Sequence, residues 1–343
     1  MIRFLLFLSI GLCFGPGTSL AEISNAKKIE ILKKRLEERP DNKEIAQQIG
    51  KLYYQENNLN RAAYFMQKAI DEKDPRSYLR VAKIYRQQEK YLDEIRILNL
   101  MIPKHPNYPY GYVLLGDALL KIDKKDEAIV KYRKAIEINP KNEDAYWGLF
   151  KVYDEKDNNY ESRIILLDLI KYFGDKPKYL NPLCRLYSVD SFFKDSIAFC
   201  QRAIKKDRTH PDNHIYLALT YKYAKNNQQA EKIIKAAAKQ FQGSEFAQET
   251  AGQIMFDIEN WERSMRYYQQ CTKINKGNLN CQLGLAKAAF SIGQYKISNE
   301  AFLKACLIDR KTITEFKKSA AILRINKKSN WFKEFTNNIG KCY

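Results

Sequence analysis

Small residues recur at intervals of 34 positions along this chain, and this period constrains the fold more than any other feature of the sequence. Eight units can be laid out, the first two residues shorter than the rest: 43–74, 75–108, 109–142, 143–176, 177–210, 211–244, 245–278 and 279–312. Position 20 holds alanine or serine in seven of the eight units, Glu94 being the exception. Average composition gives one of these two residues at about one position in seven, so the repeat is not a product of chance.

The repeated small residues predict two antiparallel helices in each unit. Small side chains at positions 8, 20 and 27 would let the two helix backbones approach closely. Gly116 at position 8 lies in the middle of a predicted helix, where glycine costs about 1 kcal/mol relative to alanine, so a packing role is predicted for it. The residues assigned to these contacts are Gly50, Ala62, Ala82, Gly116, Ala128, Ala135, Ala218, Ala230, Gly252 and Ala286.

The unit resembles the tetratricopeptide repeat, a helix–turn–helix of 34 residues. Its signature is clearest at Tyr112, Leu115, Gly116, Leu119, Ala128, Tyr132, Ala135 and Pro140. The resemblance implies an all-α fold, a right-handed α-solenoid of about eight stacked repeats with capping helices at its ends. Residues 22–42 are predicted to form an N-terminal capping helix, and residues 313–343 a C-terminal partial repeat and capping helix.

The first 21 residues are predicted to be a signal peptide. Arg3 precedes the apolar run 4–14, a Gly-Pro-Gly break follows, and Ala21 ends a stretch of small residues suited to cleavage. The mature chain is then expected to be exported without a transmembrane segment. The chain has no Asn-x-Ser/Thr acceptor, which favours a bacterial periplasm, with secretion or outer-membrane association left open.

No catalytic or cofactor motif is present in the sequence. It lacks a glycine-rich phosphate loop, Cys-x-x-Cys and His-Glu-x-x-His. His105, His210 and His214 lie at predicted turn or packing positions, for which a metal or catalytic role is not expected. We therefore predict no enzyme activity, no catalytic residue, no metal and no cofactor.

Six cysteines would remain after cleavage of the signal peptide: Cys184, Cys200, Cys271, Cys281, Cys306 and Cys342. An even number in an exported chain permits a disulfide framework. The repeat geometry implied by the resemblance brings neighbours in sequence together, so the hypothesis is sequential pairing. The alternative is that the cysteines at packing positions are small buried residues of the core.

The resemblance places the first helix of each unit on a concave groove, and the charge of the chain suggests what would bind there. Lys and Arg exceed Asp and Glu by 59 − 40 = 19, which favours anionic partners. Five of the eight residues at position 9 are basic, and aromatic residues flank them. The predicted ligand-binding residues are Lys51, Tyr54, Lys83, Arg86, Tyr110, Trp147, Lys151, Arg185, Tyr223, Phe256, Lys287 and Phe290.

These features predict an exported scaffold or adaptor that binds a partner protein or an acidic peptide segment, in the assembly or function of a cell-envelope complex. The alternative is a binder of an anionic envelope polymer, such as a cell-wall glycan or lipopolysaccharide. Nucleic acid fits the charge but conflicts with export. Polymer binding should fall more steeply with ionic strength than the binding of a peptide with apolar anchors.

Overall fold

The computed structural model describes residues 24–343, so the predicted signal peptide lies outside the described residues. Across this range the regular structure is entirely helical, which confirms the predicted all-α class. No helix between residues 24 and 343 has the length and apolarity needed to cross a membrane. The chain separates into two compact units, each much larger than a 34-residue repeat unit. The first compact unit ends at Lys156, and the second compact unit runs from Asp157 to Tyr343.

The described part of the first compact unit contains eight helices. They are α1 (Asn25–Glu38), α2 (Lys43–Gln55), α3 (Leu59–Lys68), α4 (Pro75–Gln87), α5 (Tyr91–Met101), α6 (Pro109–Lys121), α7 (Lys125–Ile138) and α8 (Glu143–Glu155). Each helix packs against the next along the chain, most extensively α2 with α3, α4 with α5 and α6 with α7. The 34-residue units starting at 43, 75 and 109 are therefore helix pairs.

The second compact unit is also a succession of helices joined by short turns. Its helices are α9 (Asn159–Phe173), α10 (Pro177–Val189), α11 (Phe193–Lys206), α12 (Pro211–Tyr223), α13 (Asn227–Gln240), α14 (Glu245–Asp257), α15 (Trp261–Ile274), α16 (Leu279–Ser291), α17 (Tyr295–Ile308), α18 (Ile313–Ile325) and α19 (Ser329–Gly340). A short 3-10 turn, Arg310–Thr312, precedes α18. Residues 313–343 thus form a further complete helix pair.

Side-chain caps start most of these helices. In each case an Asn, Asp or Ser oxygen accepts a hydrogen bond from a backbone N–H in the first turn, which satisfies a donor that has no partner inside the helix. The capping residues are Ser24, Asn42, Asn58, Asp74, Asn142, Asn158, Asn226, Ser244, Asn260 and Asn278. Three other helices begin with proline, at Pro109, Pro177 and Pro211, where its fixed φ suits the helix.

The turn that ends the first helix of each unit falls at position 15. The residues there have a positive φ, between 52° and 74°, which closes the first helix in a left-handed conformation. They are Asn57, Glu89, Asp123, Asp157, Ser191, Lys225, Glu259, Gly293 and Lys327. The turn at Lys327 extends the period beyond residue 312, in agreement with the helix pair formed by α18 and α19.

The ten small residues assigned to helix–helix contacts are all buried. Serine replaces alanine at position 20 in four units, and its buried hydroxyl bonds a carbonyl in three of them, Ser162 being the exception. Ser264 Oγ donates to the carbonyl of Gly252 at 2.8 Å, and Ser298 Oγ donates to that of Ala286 at 2.9 Å. Each of these two serines therefore bonds the position-8 residue of its own unit, so it ties the second helix to the first.

Two tyrosines at position 24 each lie between a pair of glycines. Tyr132 on α7 is fully buried, and a Cβ added at Gly116 would lie within 3.0 Å of three of its ring atoms. A Cβ at Gly148, on α8, would lie within 2.7 Å of the same ring. The ring thus fills the space left by one glycine of its own unit and one of the next, which is why Gly116 tolerates its cost in helix propensity.

In the second compact unit, Tyr268 has the same arrangement, with Gly252 and Gly284 on either side of its ring. The phenol oxygens reach position 9 of their own units. Tyr132 donates to Asp117 Oδ1 at 2.7 Å, and Tyr268 donates to Gln253 Oε1 at 3.1 Å. Burial raises the pKa of both phenols well above the usual range. Asp117 and Gln253 are therefore acceptors for a buried tyrosine, which explains why these two units lack a basic residue at position 9.

Candidate binding surface on the first helices

The predicted basic residues of position 9 differ in how free they are. Lys51, Lys83 and Lys151 are exposed, and none has a carboxylate within 4.0 Å among residues 24–343. Lys287 is partly exposed, with its Nζ 3.5 Å from Glu315. Arg185 is half-buried. The exposed lysines of position 9 that have no ion pair are thus all in the first compact unit.

Lys83 borders a cavity of about 480 Å³ that combines several basic residues. Its lining is Arg76, Leu79, Arg80, Lys83, Arg86, Glu94, Tyr110 and Leu114. These residues come from α4, α5 and α6, and the site is called the α4–α6 cavity below. Two predicted cations, Lys83 and Arg86, and one predicted aromatic residue, Tyr110, therefore meet in one place, whereas Arg76 and Arg80 were not predicted.

The rim of the α4–α6 cavity is basic and open. Arg76 and Lys83 are exposed without a carboxylate within 4.0 Å in the described part of the chain. Arg80 has one long ion pair, 3.5 Å from Nη2 to Asp74 Oδ2. Tyr110 is 45% exposed. Flat aromatic surface beside free cations is suited to an acidic segment that also offers apolar contact.

Arg86 is already bonded within the protein, in contrast to its predicted role as a ligand-binding cation. Its Nε donates to Glu94 Oε1 at 2.9 Å and its Nη2 donates to the carbonyl of Leu114 at 3.1 Å. Its Nη1 lies 3.5 Å from Asp117 Oδ2. The guanidinium therefore connects α4, α5 and α6 beneath the rim.

Glu94 is the residue at position 20 that departs from the alanine and serine of the other units. Its side chain is 1% exposed, and Oε2 has no hydrogen-bond partner. Burial raises the pKa of Glu94, and the hydrogen bond and charge of Arg86 offset only part of this effect. Its departure from the repeat pattern was the sequence signal that could have identified this ion pair.

Lys151 borders a neighbouring cavity of about 400 Å³ that has mixed charge. The lining is Arg86, Tyr91, Asp117, Leu120, Lys121, Lys151 and Glu155. Its carboxylates are partly engaged, since Asp117 accepts from Tyr132 and Glu155 lies 3.6 Å from Lys125 Nζ. This cavity is less suited to an acidic ligand than the α4–α6 cavity.

Lys51 belongs to a third cavity, of about 330 Å³, between α1 and α2. Its lining is Lys28, Ile31, Leu32, Arg35, Gln48, Lys51, Leu52 and Gln55, and it is called the α1–α2 groove below. Tyr54 is half-buried on the same helix as Lys51. Trp147 is half-buried on α8, with its ring 4.9 Å from that of Phe150.

The aromatic residues predicted to bind a ligand in the second compact unit differ in exposure. Tyr223 is 52% exposed. Phe256 and Phe290 pack against the hydrophobic core, where Phe290 lies 6.2 Å from the ring of Phe335. Lys287 borders a cavity whose lining includes Glu249, Gln253 and Asn280 rather than further cations. A continuous basic, aromatic surface is therefore not a feature of this unit.

The six cysteines are brought together as three pairs of neighbours in sequence. The Cα–Cα distances are 4.6 Å for Cys184–Cys200, 6.0 Å for Cys271–Cys281 and 5.8 Å for Cys306–Cys342, all within the range for a disulfide. The first pair joins α10 to α11, the second joins α15 to α16, and the third joins α17 to the chain end. The geometry is thus compatible with the predicted sequential pairing.

We expect all six cysteines to be oxidised in the natural protein. Alkylation under denaturing, non-reducing conditions should modify none of the six, and alkylation after reduction should modify all of them, as read by intact mass. Peptide mapping should recover Cys184 linked to Cys200 and Cys306 linked to Cys342. Six alkylated thiols without reductant would show that these are small core residues only.

One group of potential metal ligands comes together within residues 24–343, formed by Glu249, Cys271 and Cys281. The structure joins its two sulfur atoms to each other. Asn278 and Asn280 donate hydrogen bonds to the carboxylate of Glu249 at 2.9 and 3.0 Å. The carboxylate therefore has protein donors as partners, and the sulfurs are used by the disulfide.

Comparison with known proteins identifies the repeat. The family model described as TPR repeat matches residues 116–156, from the middle of α6 to the residue after α8. The chain contains a tetratricopeptide repeat. Tetratricopeptide repeats typically form non-catalytic scaffolds that bind other proteins along surfaces built from successive units.

Two curated relatives share part of the sequence of this protein. Protein O-mannosyl-transferase Tmtc3 of Drosophila melanogaster is 32% identical over 128 residues, which are 36% of this chain and 14% of that protein. Anaphase-promoting complex subunit 3 of Schizosaccharomyces pombe is 22% identical over 133 residues, 39% of this chain and 20% of that protein. The chain thus spans at most a fifth of the length of these relatives.

A solved tetratricopeptide repeat structure is also similar to this chain. The crystal structure of a tetratricopeptide repeat protein from Parabacteroides merdae is 12% identical, with a TM-score of 0.48. The similarity covers 72% of this chain and 98% of that one.

Proposed function

We propose that the protein is an exported, non-catalytic scaffold that holds an acidic segment of a partner protein in the α4–α6 cavity, within a cell-envelope complex. The observation that carries this proposal is the composition of the cavity. Arg76, Arg80 and Lys83 surround it beside exposed Tyr110, and its one lining carboxylate, Glu94, is paired with Arg86. An acidic side chain entering the cavity would therefore meet net positive charge.

The size of the cavity supports anchoring by a short segment. About 480 Å³ lies within the range of small-ligand sites and would hold one or two side chains. A carboxylate can form two parallel hydrogen bonds with an arginine guanidinium, which lysine cannot provide. The acidic anchor is accordingly proposed to bond Arg76 or Arg80, with Lys83 adding charge and Tyr110 covering the adjacent apolar part.

Charge reversal at the rim tests this assignment. The double variant Arg76→Glu with Lys83→Glu should bind the partner at least about tenfold more weakly, equivalent to about 1.4 kcal/mol, because repulsion replaces attraction. The partner would be identified by affinity capture from envelope extract and then titrated in purified form. The matched control is Lys73→Glu with Lys141→Glu, which makes the same charge change at exposed positions outside the cavity.

Equal loss of binding in both double variants would contradict the proposal, since net charge alone would then govern binding. A steep fall in affinity with salt for a glycan or lipopolysaccharide, with the rim variant and its control weakened alike, would support the anionic-polymer alternative instead.

Export is the second part of the proposal, and it rests on the sequence of residues 1–21. We expect the protein recovered from the cell envelope to begin at Glu22, as measured by intact mass or N-terminal sequencing. An uncleaved chain found in the cytosol would contradict export and would reopen nucleic acid as a partner.

A further inference from the structure

Helix α1 occupies the place of the second helix of a repeat. Counted back 34 residues from the unit that starts at 43, Asn25–Glu38 spans positions 17–30. Helix α7, Lys125–Ile138, spans the same positions of the unit starting at 109. In the complete pairs, such as α6 with α7, the second helix packs most extensively on the first helix of its own unit. Among residues 24–343, α1 packs chiefly against α2.

The face of α1 formed by positions 20, 24 and 27 is not packed as in the other second helices of the described residues. Leu32 stands at position 24 and is only half-buried. The position-24 residues of the other eight units are all buried: Met66, Leu98, Tyr132, Leu166, Cys200, Ile234, Tyr268 and Phe302. Lys28 and Arg35 stand at positions 20 and 27, where other units mostly carry alanine or serine. The face that usually packs on a first helix therefore carries two cations here.

The α1–α2 groove has a shape into which a third helix can pack. From α1 it takes residues 28, 31, 32 and 35, and from α2 residues 48, 51, 52 and 55. Both sets follow the spacing of a single helix face, so two parallel ridges enclose a channel into which a helix can pack. Ile31, Leu32 and Leu52 form an apolar floor, and no carboxylate belongs to the lining.

We propose that the α1–α2 groove binds an acidic amphipathic helix of a partner protein, which packs there as the first helix of an additional repeat. Its apolar ridge would cover Leu32 and Leu52. Its acidic residues would lie against Lys28, Arg35 and Lys51, which have no carboxylate within 4.0 Å in the described residues. This surface is separate from the α4–α6 cavity, so the proposal goes beyond the function proposed above.

Two peptides taken from this chain provide matched probes. The α14 peptide, residues 245–257 (EFAQETAGQIMFD), has three acidic residues and no basic one. The α4 peptide, residues 75–87 (PRSYLRVAKIYRQ), is also a first helix of 13 residues and has four basic residues and no acidic one. In fluorescence anisotropy titrations of the natural mature protein, the acidic peptide should bind at least tenfold more tightly than the basic peptide.

Variants of the protein locate the binding. Lys28→Glu with Arg35→Glu should weaken binding of the acidic peptide at least tenfold. Lys27→Glu with Lys34→Glu makes the same charge change on exposed residues of α1 outside the groove and should leave binding within twofold. Weakening by Lys83→Glu, with Lys28→Glu and Arg35→Glu without effect, would instead place the peptide in the α4–α6 cavity and overturn the proposal. Circular dichroism would show that each variant keeps its helices.

Three further results would overturn the proposal. The first is equal binding of both peptides, or equal weakening by the two double variants of α1. The second is self-association of the protein that Lys28→Glu with Arg35→Glu abolishes, which would assign the groove to a second copy. The third is binding by the mature chain that the full-length chain lacks, which would assign the groove to residues 1–21.

Discussion

Replacing Tyr132 with alanine is expected to lower the free energy of unfolding by about 3–5 kcal/mol, the usual cost of removing a large buried aromatic side chain. The ring is fully buried between the backbones of Gly116 and Gly148, so the cavity cannot be filled by a neighbouring side chain from either glycine. The variant also loses the hydrogen bond to Asp117. Urea unfolding followed by circular dichroism would measure the change.

Replacing Gly148, a glycine beside this ring, with alanine should have opposite effects on stability depending on whether Tyr132 is present. With Tyr132 present, Gly148→Ala should destabilise the protein, since overpacking costs about 1–3 kcal/mol and exceeds the gain in helix propensity. In the Tyr132→Ala background the same substitution should stabilise it by up to about 1 kcal/mol. Gly340→Ala, which meets no atom within 4 Å, serves as the control. An equal effect of Gly148→Ala in both backgrounds would mean that the tyrosine ring does not require this glycine.

Arg86→Met is expected to lower the free energy of unfolding by about 3 kcal/mol at neutral pH, at the lower end of the range for breaking a buried ion pair. The change leaves the buried carboxyl of Glu94 without its partner. The lower end applies because the side chain of Arg86 is 35% exposed. Lys83→Met, an exposed position on the same helix, should cost less than about 0.5 kcal/mol.

Removing both partners should recover most of this loss. Arg86→Met with Glu94→Ala gives position 20 the alanine that other units have, so no buried charge remains without a partner. The double variant should therefore be more stable than Arg86→Met alone. A double variant as unstable as the single one would show that the bonds from Arg86 to Asp117 and Leu114, and not the charge of Glu94, hold these helices.

The pH dependence of Arg86→Met follows from the raised pKa of Glu94. A carboxyl whose pKa is higher in the folded protein than in the unfolded chain favours folding below the unfolded value, about 4.3, and this contribution is lost as the pH rises through the folded value. Without Arg86 the pKa of Glu94 should rise further. The deficit of the variant should thus be small near pH 4 and grow towards pH 7, as measured by unfolding at each pH.

The helix pairs could be read from the sequence because each pair repeats a local pattern. Position 8 and position 20 lie on the two helices of one unit, so small residues there recur with the period of the backbone. The contact between a position-24 tyrosine and position 6 of the next unit was missed, although its signal was present. Tyr132 and Tyr268 are the two tyrosines at position 24 of the eight units, and Gly148 and Gly284 are the two glycines at position 6.

The binding surface was less accessible to sequence reasoning. Counting basic residues at position 9 located Lys83 but could not tell which cations are free. Arg86 is bonded to Glu94, and Lys51 borders a different cavity from Lys83. These outcomes depend on side-chain length and on residues of neighbouring helices, which a tally at one position does not contain.

The sequence by itself determined the period of this protein, the positions of its helix pairs and turns, and the burial of its small residues. These follow from helical geometry, which repeats whenever the spacing of small and apolar residues repeats. Only the tertiary structure decided which ring fills the space beside each glycine, which cations are paired and which cavities remain open. Those features arise where helices of successive units meet, because a long side chain there is placed by partners from two units rather than by its own position in the repeat.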